Sequence, residues 1–373
     1  MGFRFFTKLL LSIAIVAYNP GCFAEDVDEQ VKLTEWKHLT EQAIQYYYGR
    51  YYNKSESTLI KALSEIRKVK KNSNEEIATL ARLVDVCLKR GNCLKAERYF
   101  DTLIKLYNLK AGNKTINKEA ISEIDSLSYT FGSFDTTDPA LKEKYLLYDL
   151  KLKDWVSGDN HRNISEALRK LVVFYLSQGR YAKAEPYAIR LVKCDQKSKG
   201  FEATEVAQEL NTLALIKYNL NKYLEAESYF RQSLAILTSL EKTIPTYIPT
   251  VKAQLAENLL KLKEYRLARK ESLEALDMLE RDVGSNDIAT ITVRRALADS
   301  DEHLGNLESS IKQREIAIAL TNRYYGINNP LNLKDLKILK DYYTKNKKHA
   351  KAQKIKNELE VIEEIVRRNK VAK

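Results

Sequence analysis

The chain has 373 residues, a formal net charge of +12, and only 12 Gly and 6 Pro. So few breakers leave little room for anything but helices joined by short turns. The charge is uneven: residues 1–24 carry +2, residues 334–373 carry +7, and the stretch between them is close to neutral at +3. A basic excess confined to one end excludes a uniformly cationic surface.

At the N-terminus, Arg4 and Lys8 precede an apolar run from Leu9 to Tyr18. Asn19-Pro20-Gly21 breaks that run, and Cys22-Phe23-Ala24 precedes Glu25. Basic, apolar and then small residues in that order make a secretory signal peptide, with cleavage expected after Ala24. The alternative is a lipoprotein, with Cys22 acylated after processing at Gly21. About ten apolar residues are too few to span a bilayer, and no other segment is apolar enough to do so. A periplasmic or secreted location follows, and with it no nucleic-acid partner.

From about Asp28 onward the chain reads as one repeated pattern. Leu171, Leu213, Leu255, Leu297 and Leu339 stand 42 residues apart, each followed 13 residues later by a small residue: Ala184, Ala226, Ala268, Ser310 and Ala352. Leu83 with Ala96 and Leu127 with Ala140 continue the pattern upstream at 44-residue spacing, and Ala43 with Ser55 is a looser first copy. Two registers held in step mean an array. About eight repeats are expected, over roughly 28–72, 73–115, 116–158, 159–199, 200–241, 242–283, 284–325 and 326–369. In the clearest copy, Leu210, Leu213, Ala214 and Tyr218 have helical spacing. After a break at Asn219–Lys222 come Tyr223, Ala226, Tyr229, Phe230, Leu234 and Leu237, again on one helical face. Each repeat is therefore a first helix, a tight turn and an antiparallel second helix, with the small residue where the two cross closely.

Gly91, Gly179 and Gly305 stand five residues before the small position, where a left-handed residue often ends a helix; Asn221, Lys263 and Lys347 take that place elsewhere. Asp138-Pro139 and Asn329-Pro330 read as helix starts. The copy at Ser122–Trp155 is the most divergent, with a longer turn at Gly132–Asp138. That turn marks either a bend or simple drift.

The run Leu213-Ala214, Tyr218, Tyr223-Leu224-Glu225-Ala226-Glu227-Ser228-Tyr229-Phe230 and Leu234-Ala235-Ile236 resembles the tetratricopeptide repeat, and Gly179-Arg180-Tyr181-Ala182-Lys183-Ala184-Glu185-Pro186 is a second match. The 42-residue period is similar to the kinesin-light-chain type of that repeat. Departures are Ser310 in place of alanine and Lys340 where a small residue packs after the leucine. The resemblance implies an all-α, right-handed superhelical solenoid of antiparallel helix pairs and a non-enzymatic role in binding proteins or peptides. It implies no cofactor.

No catalytic constellation competes with that reading. His38, His161, His303 and His349 lie in separate copies, and there is no glycine-rich phosphate loop or nucleophile elbow. Cys87 and Cys93 flank a turn at places where other copies carry aromatics, such as Tyr175 and Tyr181. They are either a disulfide, in an oxidising compartment, or two small core residues; their spacing does not suit zinc. Sequons begin at Asn53, Asn113 and Asn163. In the cluster Tyr46–Tyr48 with Tyr51 and Tyr52, Tyr46 and Tyr52 are expected inward and Tyr47 and Tyr48 outward. If first helices line a groove, the residues two before the packing leucine face it: Arg169, Asn211, Ala253, Arg295 and Lys337. Those five after it do likewise: Leu176, Tyr218, Leu260, Glu302 and Thr344. Arg169, Asn211, Tyr218, Arg295 and Lys337 are thus the candidate partner contacts. The rival surface is the basic terminal repeat, Lys334 to Lys356, read either as a patch for an acidic partner or as a solvated cap.

Overall fold

The computed structural model describes residues 20–111, 118–133, 138–157, 161–240 and 247–371. Among these there is no strand. Sixteen α-helices follow one another as consecutive pairs. They are α1 (Pro20–Tyr48) with α2 (Tyr52–Val69), α3 (Asn74–Lys89) with α4 (Cys93–Ala111), α5 (Lys118–Ser133) with α6 (Pro139–Ser157), and α7 (His161–Ser177) with α8 (Tyr181–Lys199). The rest are α9 (Thr204–Asn219) with α10 (Tyr223–Ser239), α11 (Tyr247–Lys261) with α12 (Tyr265–Asp282), α13 (Thr290–His303) with α14 (Leu307–Tyr325), and α15 (Leu333–Lys345) with α16 (His349–Val371). The fold is an α-solenoid of antiparallel helix pairs. The leader expected over residues 1–24 lies mostly outside the described residues, although α1 opens at Pro20 and includes Cys22 and Ala24. Of the long turn expected at Gly132–Asp138, residues 134–137 also lie outside.

The chain divides into two compact bodies, one ending at Ala167 and the other beginning at Leu168, inside α7. In the N-terminal body, α2 packs on α3, and α3 also lies against α5. Its core gathers Leu59, Ile66, Leu80, Leu83, Leu103 and Ile124. The divergent copy is filled by rings: Phe100 meets Phe131 edge-on at 5.0 Å, and Phe131 meets Tyr145 at 5.2 Å. In the C-terminal body each second helix packs on the first helix of the next pair.

The leucine register is a core position throughout: Leu171, Leu213, Leu255, Leu297 and Leu339 are all buried, and so are the small residues Ala184, Ala226, Ala268 and Ser310. Ala352 is half-buried, and Ala140 is exposed at the start of α6, where the divergent copy is filled by Tyr145 instead. The hydroxyl of Ser310 has no hydrogen-bond partner, the cost of replacing alanine there. In the first repeat, Ser55 avoids that cost by donating to the Ala43 carbonyl at 2.9 Å.

The turns follow backbone chemistry. Gly91 and Gly179 are left-handed, and so are Asn221, Lys263 and Lys347 at the equivalent place, with φ of 59°, 64° and 56°. The turn closes by paired reach-back bonds, such as Asn221 N–H to Tyr218 O and Lys222 N–H to Lys217 O, both 2.9 Å. Three second helices of the C-terminal body, α8, α12 and α14, end at or next to a glycine, Gly200, Gly284 and Gly326, with φ of 90–92°. These stand at multiples of the 42-residue period, so the sequence carries this signal too. Asp138 accepts from Ala140 N–H at 2.9 Å and Pro139 opens α6, as expected. Asn329 caps only a single 3-10 turn, Pro330–Asn332, before α15 begins at Leu333.

Candidate functional site

Four of the five residues two before a packing leucine, Arg169, Asn211, Ala253 and Arg295, sit in the junction between successive repeats and do not form an open row; Lys337, in the last described repeat, stays exposed. Arg169 donates from Nε to Glu209 at 2.7 Å and from Nη2 to Asp195 at 2.8 Å. Arg295 donates from Nε to Asp335 at 2.7 Å, and from Nη2 to Thr321 at 3.1 Å and Asn332 at 2.9 Å. The offsets coincide: each arginine reaches 26 residues on, into its own second helix, and 40 residues on, into the next first helix. Lys337 keeps the first of these bonds, to Glu363 at 2.9 Å. At the intervening junctions the partner places, 26 and 40 residues on, are apolar. Ala253 packs with Leu279 and Val293 in one buried cluster. Asn211, with Leu237 and Val251 at the matching offsets, is also buried.

The arginines expected to bind a partner are therefore occupied as internal couplers, and Asn211 is inaccessible. Tyr218, half-buried, lies edge-on to Tyr223 at 5.6 Å and packs on the core. The physical reason is rotational. Positions two before and five after the leucine share a face, but stacking of the next repeat covers that face. The open stripe comprises positions five and one before the leucine and two and six after it, about 80° further round the helix.

In the N-terminal body this stripe forms a pocket of about 240 Å³ over α1, α3 and α5. Arg82 on α3 bridges to Glu123 on α5 at 2.7 Å. Asp85 on α3 accepts from Thr130 Oγ1 on α5 at 2.7 Å, and it also meets the Tyr47 hydroxyl from α1. Burial, then the bond and charge of Asp85, push the Tyr47 hydroxyl well above the usual tyrosine range. Tyr47 packs on the core with Tyr52, at 5.6 Å, and takes the inward place expected of Tyr46. Tyr48 is 80 % exposed at the pocket rim, edge-on to Tyr47 at 5.7 Å. Tyr129 on α5 is exposed on the same stripe.

In the C-terminal body the stripe begins apolar, with exposed Val173 and half-buried Leu215, and turns acidic at Glu257, Asp299 and Asp341. Burial and the neighbouring Asp299 push the Glu257 carboxyl up. Behind it, the fully buried Arg314 of α14 donates to Asp335 at 2.7 Å and to Asp299 and Glu302 at 2.6 Å. Several lysines of the basic terminal repeat are paired, although the repeat keeps its excess of positive charge. Lys334 pairs with Asp299 and Lys356 with Glu360, while Lys351 pairs with Glu315 and lies over the Tyr343 ring at 5.0 Å.

Cys87 and Cys93 are both free thiols. Cys87 is buried in the core of α3, and burial pushes its thiol up to about 11. Cys93 instead meets the Tyr145 hydroxyl of the next pair. The turn between them orients the two thiols into different contacts, so no bond joins them. Among the described residues no group of three or more His, Cys, Asp or Glu could hold a metal ion, and no helix is long and apolar enough to cross a membrane.

Residues 158–239 match the tetratricopeptide-repeat family model. No curated protein matches the chain in sequence. Among solved structures, BtubC (BKLC) from P. vanneervenii is similar with a TM-score of 0.51 at 16 % identity, over 62 % of this chain and 93 % of that one. A kinesin-light-chain array of TPR-like repeats from Podosopora anserina gives 0.45 at 14 % identity, over 54 % and 95 %. The apo form of RapI gives 0.46 at 13 %, over 90 % and 98 %. This chain carries tetratricopeptide repeats, matched directly over residues 158–239, on a helix-pair solenoid of the same fold.

Proposed function

We propose that the chain is a non-enzymatic scaffold, secreted or periplasmic, that holds another protein or an extended peptide against the open faces of its first helices. The observation that carries this reading is the exposure of large apolar side chains on those faces: Tyr48, Tyr129 and Val173 are 80 %, 69 % and 60 % exposed. Exposed aromatic and aliphatic groups beside fixed polar ones are what a recognition wall needs. The leader pattern around Arg4, Lys8 and Cys22-Phe23-Ala24 supports the location. An envelope-tethered form acting through the basic terminal repeat is the weaker reading, because several of those lysines are already paired.

Photo-crosslinking side chains placed at Tyr129 and Val173, in the host cell, test the scaffold. They should trap a defined partner that the same group at Leu224, exposed on a second helix, does not. Equal trapping from all three positions would refute the wall. Mass spectrometry of the mature N-terminus tests location: Glu25 as first residue means a free protein, and an acylated Cys22 means a tethered one.

A further inference from the structure

We infer that the pocket over α1, α3 and α5 is a subsite for a cationic side chain, lysine or arginine, of an extended peptide. This rests on the scaffold reading and specifies what one part of the wall takes.

The charges of the pocket decide its sign. Three ionisable groups of opposite sign line it: Arg82, Asp85 and Glu123. Arg82 is spent on Glu123 at 2.7 Å, which leaves one carboxylate in excess. Asp85 accepts from Thr130 and lies beside the Tyr47 hydroxyl, two neutral groups that leave its charge uncancelled. Glu123 is a single-bond partner of one guanidinium nitrogen, and its side chain retains 23 % exposure. An incoming ammonium or guanidinium thus finds acceptors facing the cavity and a net negative charge. An incoming carboxylate would meet Asp85 and Glu123 and would have to displace Glu123 from Arg82.

The walls agree with the floor. Tyr47 and Tyr48 meet edge-on at 5.7 Å with an interplanar angle of 85°, so the two rings present faces in different directions. Aromatic faces attract cations, more so where water is partly excluded. Packing on the core and on Tyr52 fixes the Tyr47 ring, its hydroxyl beside Asp85, while Tyr48 stands 80 % exposed at the rim, where it can cover an aliphatic stem. A volume of about 240 Å³ suits one long side chain rather than a folded domain. The peptide's backbone would continue past the exposed Ser122 and Ser126 toward Tyr129.

The test uses the full chain and an array of twelve-residue peptides in a fixed Gly-Ser-Ala frame, with Arg, Lys, Glu, Leu or Gln at the centre and leucine at two flanking places. Arg and Lys peptides should be retained at least tenfold more than Glu or Gln peptides. Asp85→Asn with Glu123→Gln should remove that preference, and Tyr48→Ala should weaken it. Arg82→Ala separates the alternatives: a cation subsite should bind as well or more tightly once the internal competitor is gone, whereas an anion subsite should lose all binding. Circular dichroism and melting of each variant exclude unfolding as the cause. Retention of Glu peptides, abolished by Arg82→Ala, would overturn the inference and leave the scaffold standing. No preference for any charge, while crosslinking at Tyr129 still traps a partner, would also overturn it. Loss of that crosslink would instead sink the scaffold reading itself.

Discussion

The junction at Arg169 predicts how the array is held together. Arg169 bonds two carboxylates, Asp195 and Glu209, whose side chains are 0 % and 10 % exposed. In Arg169→Ala, Asp195 keeps only Lys199 at 3.6 Å, and Glu209 loses its partner while burial already pushes its carboxyl up. Breaking a fully buried pair costs about 3–5 kcal/mol. Arg169 is itself 39 % exposed, so screening and water reduce the loss to about 2–3 kcal/mol. The remedy is written elsewhere in the chain, since the same three places two repeats on are Ala253, Leu279 and Val293, packed together. Arg169→Ala with Asp195→Leu and Glu209→Val should therefore regain most of the stability lost by the single variant. Urea unfolding at constant slope reads the free energies, and hydrogen exchange in α8 and α9 shows that the loss is local. An unchanged midpoint in Arg169→Ala, or a triple variant weaker than the single, would refute the coupling account and return Arg169 to the list of partner contacts.

Four further outcomes are expected. Ala226→Leu, at a fully buried helix crossing, should cost about 1–3 kcal/mol, whereas Ser228→Leu on the exposed face should cost little; equal melting shifts would disprove the crossing. At the left-handed turn, an added methyl at Gly179 would meet nothing within 4 Å, so Gly179→Ala should lose about 1 kcal/mol from backbone strain alone; Lys263→Gly should not destabilise, and paired thermal melts read both. Glu185, bonded by Lys217 and Lys222, has its carboxyl held below the usual range. Its contribution is present above the unfolded value and is lost as pH falls through the folded one, so Glu185→Gln should flatten the acid limb of a stability–pH curve. Finally, Cys93 should alkylate in the native protein and Cys87 only on unfolding, with no mobility change on reduction; a reducible Cys87–Cys93 species would contradict the free thiols.

The amino-acid pattern alone determined the helix pair, its turn and its crossing. Leu213 and Ala226 repeat at 42 residues because each must fill the same buried place in every copy, and burial is a local constraint that a periodic pattern records directly. It also marked the left-handed turn, although Lys263 and Lys347 show that the conformation survives without glycine. What it did not determine is how the remaining surface of each first helix is shared between the neighbouring repeat and solvent. Arg169 and Arg295 look like free cations on a polar face until their partners, 26 and 40 residues away, are brought beside them. Those offsets recur with complementary side chains and were the one clue in the sequence to the junction. Tyr48 was legible as exposed, but nothing local joins it to Asp85 and Glu123, which reach the same pocket from two other helices. A hydrophobic stripe says which side of a helix faces its own core. Only the stacking of repeats, set by packing between residues some forty positions apart, decides which polar side is sealed and which is left open to a partner.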